Sequence, residues 1–291
     1  MQGMTMSNTS VFEPNEIRDA FQDLLAHKHN IFSQNGEDGI IARIFNVIGR
    51  ESSICCEFGA WDGIHLSNCR ELILNGWQGI MIEGDASKYE ALVKTYAGNT
   101  RVRCINQYVD VSSHLLVSIL KGVGVHEIDF LSIDIDGLDY EIFSELDLSP
   151  RVICVEVNAG HSPRETACLP KTIARGNIGQ PLGLFSATAK AKGYGLVCYT
   201  GNAFYVRMDL LDRFGLGCRT DEEAYADFLS HLSEPEKEWL YLVGRGLNPP
   251  YYDFCNPFLG GWQLGISLSR RMSLLFRGWS NRRRFVRGLG S

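Results

Sequence analysis

The chain lacks the features that would tie it to several large classes of protein. It has no excess of basic residues: 28 Lys and Arg against 34 Asp and Glu leave a net charge of -6. A protein held on nucleic acid by phosphate contacts needs a basic face, so no nucleic-acid partner is expected. No apolar run reaches the roughly 18 residues that a membrane-crossing helix requires. The opening residues, Met1, Gln2, Gly3 and Met4, do not form a basic stretch followed by a hydrophobic one. The nine cysteines include no CxxC pair. Several of them (Cys55, Cys56, Cys104, Cys154, Cys198) lie in apolar stretches and read as small buried side chains of a reducing compartment. A soluble cytoplasmic protein is the expectation.

What is present is alternation. Short runs rich in Val, Ile, Phe and Cys, at 54–58, 79–83, 102–106, 129–135 and 152–157, are near-continuously apolar, as strands buried on both faces must be. Segments of helical period lie between them. Ser87 with Glu90 forms a capping-box pattern ahead of Leu92, Val93 and Tyr96; Leu66 to Asn75 ends at Gly76; Leu115, Leu116, Ile119 and Leu120 mark another helix. After a helix over 183–192, stopped by Gly193, two further strands at 195–200 and 203–208 are joined by Gly201-Asn202, a hairpin signal. The pattern predicts a Rossmann-like α/β sheet of seven strands, mostly parallel with a terminal antiparallel hairpin and helices on both faces.

Three segments follow from this. Residues 1–50 form an N-terminal helical cap, with amphipathic helices around Ile17, Phe21, Leu24 and Leu25 and around Ile40, Ile41, Ile44, Phe45 and Ile48. Residues 51–215 form the core. Residues 216–291 form a helical extension, with capping boxes at Thr220/Glu223 and Ser233/Glu236, followed by a basic tail. From Ser269 that tail carries Arg270, Arg271, Arg277, Arg282, Arg283, Arg284 and Arg287 among Leu, Phe and Trp. It reads as a solvated end, as a peripheral contact with an anionic membrane surface on the inner face, or as a dock for a partner subunit. A homo-oligomer is left open.

The chemistry centres on Glu57-Phe58-Gly59-Ala60-Trp61-Asp62-Gly63, where a strand ends in an acid and runs into a glycine-bearing turn. Dinucleotide turns seat pyrophosphate on a helix N-terminus, and here Glu57, Asp62 and the missing second glycine of that pattern would repel it. A sulfonium and an amino group fit better. Glu83 ends the next strand, 26 residues after Glu57, where an acid accepts ribose hydroxyls. Past strand four come Asp134 and Asp136; past strand five come Glu156, Asn158 and His161, all at the carboxyl edge where open α/β sheets bind ligands. For acceptor activation two readings stand. Either His161 or an Asp is the general base, or Asp134, Asp136 and Glu156 hold a Mg²⁺ that lowers the acceptor hydroxyl's pKa.

At these residues the sequence resembles the FkbM-type branch of the class I S-adenosylmethionine-dependent methyltransferases. The turn, Glu83 and the stretch Asp129-Phe130-Leu131-Ser132-Ile133-Asp134-Ile135-Asp136-Gly137 carry the resemblance, with Ser132 where that branch has Lys and Asp136 where it has Glu. The resemblance implies S-adenosylmethionine as cofactor, held by Gly59, Asp62 and Glu83, with Asp134 beside the transferred methyl. Ser33-Gln34-Asn35-Gly36-Glu37-Asp38 is similar to an upstream cofactor-contacting element, though a helix N-cap with first-turn acids reads equally well. Asp136-Gly137-Leu138-Asp139-Tyr140-Glu141 is similar to a segment of metal-dependent sugar methyltransferases. The candidate cofactor set is Gln34, Glu57, Gly59, Ala60, Asp62, Gly63, Asn68, Glu83, Asp110 and Asp134; the candidate catalytic residues are His161 and Asp134. The expected reaction is methyl transfer to a hydroxyl of a sugar, glycan or glycosylated small molecule. A catalytically silent scaffold of a glycan-assembly system and a nicotinamide-dependent oxidoreductase are the alternatives.

Overall fold

A computed structural model describes residues 24–108, 115–135, 137–169, 179–214, 216–234, 236–237 and 240–241. Its centre is a seven-stranded sheet: β1 (Ile54–Phe58), β2 (Gln78–Glu83), β3 (Val102–Asn106), β4 (Phe130–Ile133), β5 (Val152–Glu156), β6 (Tyr194–Tyr199) and β7 (Asn202–Arg207). The spatial order is β3-β2-β1-β4-β5-β7-β6. The first five strands pair in parallel, and β7 enters antiparallel between β5 and β6. This is the sheet that the alternation predicts, hairpin included. The order reverses beside β1, between its neighbours β2 and β4, and that is where open α/β sheets open a ligand crevice.

The helices are α1 (Glu37–Ile48), α2 (Arg70–Leu74), α3 (Ala86–Thr95), α4 (Leu115–Gly122), α5 (Asp139–Glu145), α6 (Leu182–Ala191), α7 (Met208–Phe214) and α8 (Asp221–Ser230). They divide the apolar residues into two layers. On one sheet face Ile40, Ile41 and Ile44 of α1, Ile73 of α2, Leu92 of α3 and Leu211 of α7 pack with Cys55, Phe130 and Val152. On the other, Leu120 of α4, Phe143 of α5, Phe185 of α6 and Phe228 of α8 pack with Phe58, Leu131 and Val155. The segments expected as an N-terminal cap and a C-terminal extension thus each contribute a helix to a face of the central sheet. Of the first expected cap helix only Leu24–His27 is described, as a short 3₁₀ turn; Ile17 and Phe21, like Asp110, Asp136 and the basic tail, lie outside the described residues.

Two local expectations change. Helix α3 is capped by Asp85, whose side chain accepts from the Ser87 and Lys88 amides, and not by Ser87. An aspartate two residues earlier reaches the orphan amides first. The helix expected over 66–75 shortens to Arg70–Leu74, because Ser67 and Asn68 bend inward to bond Glu57. The Thr220 capping box forms as read, with Glu223 as its reciprocal partner.

Candidate active site

Strand register builds the site. Glu57 lies opposite Met81 and Ser132, and Ser132 opposite Cys154. Side chains alternate faces with period two, so Met81, Glu57, Ser132 and Cys154 share one face, and the positions two residues on, Glu83, Gly59, Asp134 and Glu156, form the next row at the carboxyl edge. Four strands therefore deliver three acids and a glycine to one crevice.

The lower row is a closed hydrogen-bond set. Glu57 is buried; one carboxylate oxygen accepts from Ser67 Oγ at 2.6 Å and the other from the Asn68 amide at 2.7 Å. Asn68 Nδ2 donates onward to Ser132 Oγ at 3.0 Å. Ser132, where the family block carries Lys, is thereby an acceptor for Asn68 inside the sheet face. Burial pushes the Glu57 carboxyl up to about 7 despite these bonds. Glu57 and Asn68 hold the turn that covers them.

In that turn Gly59 has φ 69°, and a Cβ there would stand 2.1 Å from the Asp134 carbonyl oxygen. Only glycine allows the ends of β1 and β4 to approach so closely. Ala60 is buried and donates to Ile82 O at 3.1 Å. Gly63 donates to Ala60 O at 2.8 Å and receives the Tyr96 hydroxyl on its carbonyl at 3.0 Å. Asp62 Oδ1 accepts from the Ile64 and His65 amides, each at 2.9 Å. Partial burial disfavours its charge, but the His65 and Ile64 bonds outweigh that and hold the carboxyl below the usual range. Glu83, 6% exposed, accepts from the Trp61 amide at 2.9 Å on one oxygen and from the Asp85 amide at 2.8 Å on the other. Each oxygen retains a second lone pair.

The segment from Asn30 to Asp38 crosses the same edge. Asp38 Oδ2 accepts from the Ile31, Phe32 and Ser33 amides, each at 2.8 Å, and from Ser33 Oγ. Glu37 reaches Thr200 Oγ1 at 3.0 Å and Asn202 Nδ2 at 3.2 Å in the β6–β7 turn. Glu37 and the Oδ2 of Asp38 are thus spent on anchoring, while the buried Asp38 Oδ1 has no hydrogen-bond partner among the described residues. Gln34, half-buried, accepts on its backbone carbonyl from Asn30.

Across the crevice Asp134, Asp139 and Glu156 bring carboxylate oxygens within 4.8 Å of one another. Asp136 of the expected trio lies outside the described residues, and Asp139 is the third acid seen beside Asp134 and Glu156. It was legible only as part of the Asp-Gly-Leu-Asp segment, and its oxygens accept from the Ile135 and Gly137 amides at 2.8 and 2.9 Å. Burial and the neighbouring Asp134 push the Asp139 carboxyl up to about 7. His161, buried, sits on the loop after β5 with Nδ1 2.9 Å from Glu165 Oε2. Glu165 is a partner that the sequence reading missed, although its spacing of four residues from His161 was available.

A family model, the methyltransferase FkbM domain, matches residues 12–173, just over half of the chain. The chain belongs to the FkbM methyltransferase family. That makes it an S-adenosylmethionine-dependent methyltransferase, and the matched span contains every edge residue described above except Thr200 and Asn202 of the hairpin turn. No curated protein sequence matches the chain. Among solved structures it is similar to an O-methyltransferase family protein from Burkholderia thailandensis, with TM-score 0.37, 11% identity and coverage of 69% of this chain and 74% of that one. It is also similar to a SAM-dependent methyltransferase from Thiobacillus denitrificans in complex with S-adenosyl-L-homocysteine, with TM-score 0.36, 15% identity and coverage of 83% and 95%. A putative sarcosine dimethylglycine methyltransferase from Galdieria sulphuraria gives TM-score 0.37, 14% identity and coverage of 80% and 90%.

The donor set of the FkbM crevice fits the cofactor. Glu83 has a second lone pair on each carboxylate oxygen, a capacity that suits vicinal hydroxyls, and an edge carrying Glu83, Asp134 and Glu156 favours cationic groups and opposes a pyrophosphate. Among the described residues no helix is long and apolar enough to cross a membrane.

Proposed function

We propose that this protein is an O-methyltransferase whose acceptor is a hydroxyl of a sugar, glycan or glycosylated small molecule. The observation that carries the reading is the pairing, on one carboxyl edge, of the Glu83 and Gly59 cofactor side with a buried imidazole, His161, held by a carboxylate. Glu83 takes the ribose, the turn from Gly59 to Gly63 lies along the cofactor, and Asp134 borders the methyl. Glu57 and Asn68 keep the turn in place. S-adenosylmethionine supplies a methyl on a positive sulfur, so the acceptor O–C bond forms as the C–S bond breaks and S-adenosylhomocysteine leaves. His161 takes the hydroxyl proton and returns it to solvent. A hydroxyl needs such a base because it is scarcely ionised at neutral pH.

One observation favours a second reading of the activation step. The Asp134, Asp139 and Glu156 oxygens lie close enough to share a hard cation such as Mg²⁺. The arginine-rich sequence from Arg270 to Arg287 suits a peripheral membrane contact, and with it a lipid-linked acceptor.

Calorimetric titration with S-adenosylmethionine, S-adenosylhomocysteine and NAD, each with and without Mg²⁺, tests the cofactor side. Micromolar binding of the first two and none of NAD is expected; failure of both to bind would leave a silent scaffold. Methyl transfer to a panel of methyl glycosides then tests the acceptor class, and abolition of transfer by EDTA would move the activation step to the acid trio.

A further inference from the structure

The fold treats its two described tryptophans oppositely. Trp77 is 3% exposed, in the core, while Trp61 is 43% exposed and takes φ 47°, a left-handed backbone that a bulky side chain rarely adopts. Both features oppose stability, since the indole stays in water and the backbone holds strain. The surroundings fix where the ring stands. The Ala60 amide donates to Ile82 O at 3.1 Å and the Trp61 amide to Glu83 Oε2 at 2.9 Å, so the turn after β1 crosses the end of β2. The other oxygen of Glu83 accepts from the Asp85 amide at 2.8 Å. Asp85 in turn accepts from the Lys88 amide at 3.0 Å, and the Lys88 ammonium lies 5.1 Å from the centre of the Trp61 ring. The circuit through Glu83, Asp85, Lys88 and Trp61 closes on itself and sets the indole beside the Glu83 carboxylate, between the β1 turn and the first turn of α3. His65, paired through Nδ1 with Asp62 Oδ2 at 2.5 Å, has its ring 6.2 Å from the indole.

We propose that Trp61 is a cofactor-binding residue: its exposed indole stacks on the adenosine portion of S-adenosylmethionine, and the left-handed backbone that presents it is retained for that contact. The inference rests on the reading of Glu83 as the acceptor of the ribose hydroxyls. The purine of an adenosine is joined directly to the ribose, so a ribose held at Glu83 brings the purine within reach of a ring bordering that carboxylate. Stacking of a flat base on an indole removes both from water and demands no hydrogen-bond partner. The Lys88 ammonium meets the negative π-face of the ring and holds the indole in one orientation before the cofactor arrives, which limits the ordering that binding requires. Glycine would take this backbone without strain, as Gly59 (φ 69°) and Gly63 (φ 73°) do two residues to either side. Tryptophan at 61 is therefore explained by what its side chain contacts and not by the needs of the turn.

Tryptophan fluorescence and calorimetry on the full-length protein test this. S-adenosylhomocysteine should quench emission in the wild type, and adenosine at saturation should reproduce the quench while methionine does not; in Trp61→Phe the quench should vanish although binding persists. Trp61→Gly should bind S-adenosylhomocysteine roughly 5- to 150-fold more weakly, the effect of losing one base–aromatic stack. It should nevertheless melt no more than a few degrees below the wild type, because glycine relieves the backbone. A residue serving only the turn would show the reverse, a large drop in melting with unchanged affinity of the folded protein, and that result would overturn the proposal. Wild-type emission indifferent to the bound cofactor would do the same. Where the glycine variant does not fold, Trp61→Asn, whose side chain tolerates the left-handed backbone, takes its place. Glu83→Gln separates the proposal from the reading beneath it. Weakened binding there, with the quench intact at saturation, supports both. Unchanged affinity, with the adenosine quench still dependent on Trp61, would refute ribose recognition by Glu83 and leave the stack standing. A quench by S-adenosylhomocysteine but not by adenosine would overturn the assignment to the adenosine portion.

Discussion

Glu83 is where cofactor binding can be worked through to a number. Its two oxygens accept from the Trp61 and Asp85 amides at 2.9 and 2.8 Å, and its remaining lone pairs face the ribose in the proposed mode. Hydrogen bonds to a charged group are worth about 1.5–3 kcal/mol, so Glu83→Ala should weaken S-adenosylmethionine binding roughly 10- to 150-fold at about 1.4 kcal/mol per decade. The variant also leaves two amides without their acceptor at a 6% exposed position, each costing about 1–3 kcal/mol if water does not replace it. Melting should therefore fall by several degrees. Glu83→Gln refines the case. Its amide keeps one acceptor oxygen but turns an NH₂ toward one of the two backbone donors, so it too should lose affinity, with less disturbance than Ala. Calorimetry on folded protein, alongside melting, separates the two effects. A Glu83→Gln protein that melts near wild type and binds the cofactor with unchanged affinity would refute ribose recognition by this carboxylate.

Three further outcomes follow from the same geometry. Gly59→Ala places a Cβ 2.1 Å from the Asp134 carbonyl oxygen at φ 69°; the strained backbone and forced displacement should cost about 3 kcal/mol or more, read as a lower urea midpoint and lost cofactor binding. Glu57 has its carboxyl raised by burial from 4.5 to about 7, so the folded state holds the proton more tightly than the unfolded one. Its stabilising contribution is complete below pH 4.5 and is lost as pH rises through 7, on the order of 3 kcal/mol. Urea midpoints between pH 4.5 and 8 should fall less steeply in Glu57→Gln than in wild type, and identical slopes would contradict the buried, protonatable carboxyl. Thr220→Ala removes the α8 capping box and should cost about 1 kcal/mol, seen as a melting shift of roughly 2–4 °C with cofactor affinity unchanged.

The sheet was legible because two-face burial writes itself into sequence as short apolar runs, and β1, β3 and the β6–β7 hairpin fall where those runs lie. Glu83 was legible for the related reason that an acid ending an apolar run has nowhere to go but the strand's carboxyl end. What was not legible is where each carboxylate spends its lone pairs. Glu57 and Glu83 look alike as strand-ending acids, and each accepts one bond on each oxygen, yet register sets Glu57 one row lower, level with Ser132 and Cys154. Two residues along a strand thus separate an acid set inside the sheet face from one at the carboxyl edge. Asp139 and Glu165 were hidden differently. Their partners, the Ile135 and Gly137 amides and the His161 ring, lie only two to four residues away, but local bonds of this kind depend on how a loop folds back on itself, and loops carry no periodicity to read. The site's chemistry is therefore written in two scripts: strand register, which periodicity exposes, and loop closure, to which residues far along the chain, at the β6–β7 turn and in α8, contribute through Thr200 and Tyr225.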